Sequence, residues 1–315
     1  MKAMSQTINA FPTHLLATQF LSATDIYSIL DLASTWIGAD GQLLPAPPLL
    51  QQKTVANLFF ENSTRTRCAF ELAAQRLGAY VLNLDVSTSS TQKGETLLDT
   101  ARYLQAMGVD QLVLRDSQSG SPSVLAAQLD EGMAIINAGD GTNEHPSQAL
   151  LDIFTIRCYK PNLERLSIAI VGDILHSRVA RSLCYALSTL GVIDIRLVAP
   201  SSLLPESVPS NSVSLHTDLQ RGIAGADVVI ALRLQRERMQ NFAALDTISY
   251  FQQYGLTEER LRHAKPDAII MHPGPMNRGV EIDSIVADGP QSVIFHQPKF
   301  GVAVRMAIMA LLQAE

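Results

Sequence analysis

Cysteine is scarce in this 315-residue chain: Cys68, Cys158 and Cys184 are the only three, each set in an apolar segment with no Cys-x-x-Cys or Cys/His spacing. A disulfide framework and a zinc site are therefore not indicated, and the thiols read as core groups. No apolar run approaches the ~18 residues that a membrane span needs. The opening stretch MKAMSQTINAFPTHLLATQFLSATDIYSIL lacks the charged, apolar, small-residue order of a secretory leader, so a soluble, cytoplasmic protein with no membrane partner is expected. Excess positive charge is missing too. The formal net charge of −6 argues against nonspecific nucleic-acid binding by a broad basic surface. A small anionic ligand is still compatible, because local positive charge inside a low-dielectric cleft is what would hold it. Internal repeats, low-complexity tracts and the G-x-G-x-x-G fingerprint are also absent.

What is present is a globular composition, 47% apolar, in a chain long enough for two ordinary domains. A helix is expected over Ala23–Trp36, with Ile26, Ile29, Leu30 and Ala33 on one side, followed by a rigid proline-rich connection, Leu43–Leu50. The pattern then alternates: strand Thr54–Phe60, helix from Thr66, strand Tyr80–Leu84, helix Thr96–Met107, strand Gln111–Leu114, helix Ser123–Leu129, strand Met133–Asn137. A long helix over His145–Lys160 opens a second series, with strands at Leu166–Val171, Ile195–Val198, Asp227–Leu232 and Ala268–Met271. Strands alternating with helices imply an α/β fold of two doubly wound domains, each a mainly parallel sheet flanked by helices, joined near the start of that long helix. The final segment, GVAVRMAIMALLQAE, reads as an amphipathic helix packing back on the first domain.

Chemistry concentrates where strands run into helices. In FENSTRTRCAFELAAQRLGA, Phe60–Ala79, an apolar strand meets a polar turn and a helix with Ala69, Phe70, Ala73 and Leu77 on one face and Gly78 as its stop. Ser63 is placed to cap it. A helix start offers unpaired N–H groups and partial positive charge, so this junction can hold an anion, with Arg65 as a two-pronged grip and Ser63, Thr64 and Thr66 as hydroxyl donors. A second junction, Leu166–Gly191, brings Arg178 behind Ser177 to the carboxyl end of a parallel strand, where open α/β sheets bind ligands. Arg233 follows another apolar strand and reads as functional, whereas Arg236 and Arg238 read as solvated charge. His145, before a proline, could simply cap its helix, but Gln148 one turn on makes a convergent pair. The loop STSSTQKGE, taken alone, is an ordinary surface loop. His272 reads as a buried hydrogen-bonding residue and Asp173 as a turn stabiliser.

FENSTRTR, SSTQKGETLLDT, HPSQALLD, ALRLQRER and HPGPMNRGVEID, in that order and spread from about residue 10 to 310, together resemble the aspartate/ornithine transcarbamylase family. The resemblance implies a carbamoyl-phosphate-binding domain over 1–148, an aspartate-binding domain over 149–298 and a terminal helix, 299–315, returning to the first. It implies carbamoyl transfer from carbamoyl phosphate to L-aspartate in pyrimidine synthesis, in a homotrimer with shared active sites, without cofactor or metal. Carried over by residue, Ser63, Thr64, Arg65 and Thr66 would bind the phosphate. Ser89 and Lys93 would reach into a neighbouring subunit's site. Arg115, His145 and Gln148 would bind the carbamoyl end; Arg178, Arg233 and Gln235 would hold the aspartate carboxylates; Pro273 and Gly274 would offer backbone carbonyls to the amine.

Amine attack on a carbonyl needs donors for the oxygen that becomes negative, which suits Thr66, Arg115 and His145. It needs no serine or cysteine nucleophile, because juxtaposing the reactants makes the step effectively unimolecular, and the leaving phosphate can take the proton. Two departures stand out: Gln92 precedes Lys93 where some relatives have a second lysine, and Gly274 replaces a leucine, a change expected to matter little. Ornithine as acceptor is the same-fold rival; HPGP and the arginine of RLQ favour a carboxylate. A nucleotide-dependent dehydrogenase and an inactive binding protein are the rivals from other classes. Regulatory or dihydroorotase-like partner chains are left open.

Overall fold

The computed structural model describes residues 11–84, 94–235, 238 and 246–313. Its first lobe holds β1 (Thr54–Phe59), α2 (Thr64–Arg76), β2 (Tyr80–Leu84), α3 (Leu97–Ala106), β3 (Gln111–Asp116), α4 (Ser121–Gln128) and β4 (Ala134–Asp140), preceded by α1 (Ala23–Ser34). All strands are parallel, in the order β2-β1-β3-β4. The second lobe holds β5 (Ser167–Val171), α6 (Arg178–Thr189), β6 (Asp194–Val198), β7 (Val213–His216), α7 (Leu219–Ile223), β8 (Val228–Ala231) and β9 (Ile269–Met271), again parallel, in the order β7-β6-β5-β8-β9. Short helices α8 (Thr247–Tyr254), α9 (Glu258–Leu261) and α10 (Ser284–Ala287) decorate it. The two lobes are linked by α5 (Pro146–Tyr159), and the chain ends in α11 (Gln297–Leu311).

Both faces of β1, β3 and β4 are covered, and the strands show it in their alternation. Val55 and Val113 join the large core shared with α2 and α11, while Ala56, Leu58, Leu112 and Leu114 point into a smaller core with Ala101, Leu104 and Leu125 of α3 and α4. Period-two alternation with apolar residues on both sides is what a parallel sheet between two helical layers requires. In α1 the expected stripe of Ile26, Ile29, Leu30 and Ala33 is fully buried, and Ser22 and Asp25 form a reciprocal cap at its start.

Two elements differ from the sequence reading, and so do two of the three thiols: Cys68 and Cys158 are exposed, and Cys184 alone is a core group. Strand β7 was not anticipated: VSLH lies at the sheet edge with its two central residues exposed, so it carries little apolar signal. Helix α11 is not amphipathic. It is buried on every side from Phe300 to Ala310, packed against α1, α2 and α5, and the Gln111 side chain donates to the Met309 carbonyl at 2.8 Å. A helix apolar all round is one enclosed by protein.

The topology itself locates a site. In each sheet the chain runs outward from one strand, then returns to that strand's other side: β1 to β2 then β3, and β5 to β7 then β8. Such reversals open a crevice beyond the strands' carboxyl ends. The crevice residues are therefore those after β1, β5 and β8 and at the end of β3, which carry Ser63–Thr66, Arg178, Arg233 and Arg115.

Candidate active site

One cleft of about 1580 Å³ lies between the lobes and collects these strand ends. Ser63, Thr64, Arg65, Thr66 and Arg115 line it from the first sheet, and His145 and Gln148 from the start of α5. Arg178, Arg233, Gln235, Pro273 and Gly274 line it from the second. Ser89 and Lys93 lie outside the described residues, as does Arg236.

At the first junction, Ser63 takes the N-cap position of α2, but its hydroxyl does not bond a backbone N–H; it donates to Thr66 Oγ1 at 2.9 Å. The helix's first-turn N–H groups thus meet no capping side chain, which is what an anion cradle needs. Burial, then the nearby charge of Arg233, lowers the Arg65 guanidinium from its ordinary value. Arg65 also lies against Gly274: a Cβ there would stand 3.2 Å from Arg65 Nε, and the glycine has φ +68. A side chain at 274 would be strained and would press on Arg65, so glycine is more than a neutral exchange for leucine in this turn.

The organising acid is Glu61, which the motif reading passed over. Its carboxylate takes two bonds from Arg178, Nη2 to Oε1 at 2.6 Å and Nη1 to Oε2 at 3.1 Å, one from Arg115, and one from Arg238 Nη2 at 3.3 Å. Burial alone would raise this carboxyl; the Arg178 hydrogen bond and the charges of Arg115, Arg178 and Arg238 outweigh it and hold it below the ordinary range. Glu61 belongs to the first lobe and Arg178 and Arg238 to the second, so the carboxylate ties the lobes together. Arg238 is thereby not solvated charge, contrary to its reading in RLQRER. The signal available in the sequence was electrostatic: arginines gathered in one site demand a counter-charge.

Arg178 is buried, and also donates to the Gly141 carbonyl at 3.0 Å. Three of its five N–H groups are so engaged, leaving Nε–H and one Nη2–H. Arg115 donates to the Ala138 carbonyl at 3.1 Å, and burial followed by the charge of Arg178 brings it down to about 10. Gly139 admits both guanidinium groups: a Cβ there would meet Arg178 Cζ at 2.9 Å and Arg115 Nη1 at 3.0 Å.

His145 is buried, its backbone N–H bonded to Ser182 Oγ at 2.9 Å. Ser182 in turn donates to Glu144 at 2.9 Å, and Glu144 accepts the Thr18 N–H at 2.7 Å. Burial, then the charges of Arg115, Arg178 and Arg305, hold its imidazole well below the ordinary histidine value. The neutral ring is favoured over an imidazolium, and its buried Nδ1 meets no protein partner among the described residues. Gln235 is fixed at both ends, its N–H to Asp173 Oδ2 at 3.0 Å and its amide N–H to the His176 carbonyl at 3.0 Å. Asp173 also accepts the His176 N–H at 3.2 Å, so it stabilises the turn as read. His272 accepts the Gly274 N–H on Nδ1 at 2.8 Å and sits 3.1 Å from Glu281 Oε1 through Nε2, shaping the turn that presents Pro273 and Gly274.

Fold and site together define a two-lobed α/β enzyme whose interlobe cleft is built for anionic substrates. A family model described as the carbamoyl-phosphate-binding domain of aspartate/ornithine carbamoyltransferase matches residues 13–158, and one for the Asp/Orn-binding domain matches 164–312. Among solved structures, aspartate transcarbamoylase from Trypanosoma cruzi in complex with carbamoyl phosphate and aspartate is similar at 32% identity and TM-score 0.84, covering 96% of this chain and 97% of that one. The same enzyme with N-(phosphonacetyl)-L-aspartic acid matches at 33% identity and TM-score 0.84, with 96% of each chain covered. Ornithine carbamoyltransferase from Pyrococcus furiosus matches at 30% identity and TM-score 0.84, covering 95% of this chain and 96% of that one. The chain belongs to the aspartate/ornithine carbamoyltransferase family and is a carbamoyltransferase.

Proposed function

We propose that this carbamoyltransferase acts on L-aspartate, converting it with carbamoyl phosphate to N-carbamoyl-L-aspartate and phosphate at the entry to pyrimidine synthesis in the cytoplasm. The observation that carries the choice of acceptor is the charge balance of the cleft. Six arginines, at 65, 115, 178, 233, 238 and 305, and Lys299 line it, against one acid among the described residues, Glu61, which is already paired with three of those arginines. A dicarboxylate fits such a lining, whereas the ammonium side chain of ornithine would be repelled by it.

In this reading Ser63, Thr64, Arg65 and Thr66 hold the phosphate at the start of α2. Thr66, Arg115 and neutral His145 donate to the carbonyl oxygen as it gains charge. Gln148 accepts from the carbamoyl N–H groups. Arg178, with its two remaining donors, joins Arg233 and Gln235 on the aspartate carboxylates, and the Pro273 and Gly274 carbonyls aim the amine at the carbamoyl carbon. The departing phosphate accepts the proton, and no covalent enzyme intermediate forms. Residues 1–148 form the carbamoyl phosphate half and 149–298 the aspartate half, with 299–315 rejoining the first.

Ser89 and Lys93 complete a neighbour's site in a homotrimer. The apolar edge of the first lobe supports assembly: β2 is an edge strand with Tyr80 67% and Leu82 41% exposed, beside α2, whose Leu72 is 49% exposed. The deciding experiment compares aspartate and ornithine as acceptors at saturating carbamoyl phosphate. A much higher kcat/KM with aspartate is expected, and a higher value with ornithine would overturn the assignment. Mixing inactive Arg65→Ala and Lys93→Ala chains should restore part of the activity if sites are shared between subunits; no recovery after verified exchange would rule sharing out.

A further inference from the structure

Behind the cleft lies a fully buried carboxyl to which the proposed chemistry gives no part. Asp152 sits one turn beyond Gln148 in α5. Its Oδ1 accepts the Gln148 amide N–H at 3.0 Å and the Gln297 amide N–H at 2.7 Å. Gln297, the first residue of α11, turns its own oxygen to the His272 backbone N–H at 3.0 Å. His272 then accepts the Gly274 N–H. One carboxylate thus connects the glutamine at the carbamoyl end with the turn that faces the incoming amine.

A carboxylate can only accept, so both glutamines must present NH₂ to it and direct their oxygens elsewhere. While Asp152 is ionised, that fixes the amide orientation of each. Gln148 lines the cleft, so the group it offers there is the oxygen, which suits the NH₂ of a carbamoyl group and not a phosphate.

We infer that Asp152 is a positioning residue: as a carboxylate it orients Gln148 to receive the carbamoyl N–H groups and, through Gln297, keeps the His272–Gly274 turn in register with them. This rests on the carbamoyl phosphate reading above. Asp152 Oδ2 has no partner, and the cation that faces it is Arg305 of α11, which stacks over Phe70 at 5.0 Å and donates to the Gly301 carbonyl at 2.9 Å. Elsewhere on the elements packed against α5 lie Lys299 of α11, Arg178 and Cys184 of α6, Asp140 of β4 and Asp31 of α1, with neutral His145 at the head of α5 and His272, paired with Glu281, after β9. Burial raises the Asp152 carboxyl to about 7, against the bonds from Gln297 and Gln148 and the charge of Arg305. Protonated, it could donate to an amide oxygen, and Gln148 would be free to turn over. Carbamoyl phosphate affinity should therefore weaken as pH falls through that value.

The test is steady-state kinetics of the full-length enzyme carrying Asp152→Asn, Gln148→Ala or both. Asp152→Asn keeps the shape while offering an N–H where a lone pair stood. The KM for carbamoyl phosphate should rise about tenfold while inhibition by inorganic phosphate changes by no more than about twofold, because one charge-assisted bond to the carbamoyl end is misdirected. In the Gln148→Ala background the same substitution should add no more than about twofold, as expected when one residue acts through the other. Penalties that multiply in the double variant, or equal weakening of carbamoyl phosphate and inorganic phosphate, would overturn the inference while leaving the Gln148 assignment intact. No effect of Gln148→Ala alone would remove that assignment and the inference with it. Should Asp152→Asn fail to fold, the pH dependence of carbamoyl phosphate affinity in wild type and Gln148→Ala decides: an acid limb near pH 7 lost in the variant supports the inference, and an identical limb in both overturns it.

Discussion

The junctions after β1 and after β5 read alike in sequence, each an apolar strand, a polar turn, a serine and a helix opening on an arginine, yet they dispose of their donors in opposite ways. After β5, Ser177 caps α6 by accepting the Ala180 N–H at 3.2 Å, and Asp173 absorbs the turn's His176 N–H, so that junction satisfies itself. After β1, Ser63 gives its hydroxyl to Thr66 and leaves the first turn of α2 uncapped. Only the first leaves its helix start without a capping side chain. The second is a rigid mount whose contribution to the cleft is a single guanidinium, Arg178, clamped on Glu61. Identical local grammar therefore carries different functions, and the distinction lies in where the hydrogen bonds end.

Removing the cation of the open junction should have the largest effect. Arg65→Ala is expected to lower kcat on the order of 10³-fold with the thermal midpoint little changed, since Arg65 lies at the cleft surface. Near-normal turnover would take the phosphate role away from this junction. Arg233→Ala, on the acceptor side, should raise the KM for aspartate on the order of 10- to 100-fold through one lost charge-assisted contact, with carbamoyl phosphate binding largely kept. Equal changes for both substrates would blur the division between the lobes.

The sharpest probe of the comparison pairs the two serines. Ser177→Ala should cost about 1 kcal/mol of stability in denaturant unfolding, as loss of a cap does, with little change in KM for carbamoyl phosphate. Ser63→Ala should do the reverse; if both behaved as caps, the contrast drawn here would fail. The smallest effect concerns pH. His145 is held neutral in the folded protein but takes a proton in the unfolded chain below about pH 6.5. The unfolded state then binds more protons, so stability present above that pH declines as the solution is acidified. His145→Gln should flatten this acid-side decline in calorimetric scans.

The sequence pattern disclosed most of the architecture because parallel strands covered on both faces announce themselves as short apolar runs. Strand β1 shows how far this goes: the sequence points to Thr54–Phe60, and the strand spans Thr54–Phe59 with its four central residues buried. VSLH at β7 did not announce itself, since an edge strand with exposed Ser214 and Leu215 looks like a loop. The terminal helix was visible as a helix, but its burial on every side is a tertiary fact that periodicity cannot report. For the site, every candidate within the described residues lines one cleft, because the cations sit at strand ends and topology brings those ends together. Glu61 and Asp152 were harder to find. Each is an acid whose meaning comes from residues more than a hundred positions away, Arg178 in one case and Gln297 in the other.

The chain leaves the first lobe through α5 and comes home through α11, two helices packed on each other, with α11 latched to the first sheet by Gln111. The second lobe is therefore moored by two parallel tethers instead of one. A body moored at two points swings about the line between them and resists tumbling in other directions, so any approach to the first lobe would follow something near a single arc. Trimming the chain back past Met309 would remove the bond to Gln111 and loosen that mooring.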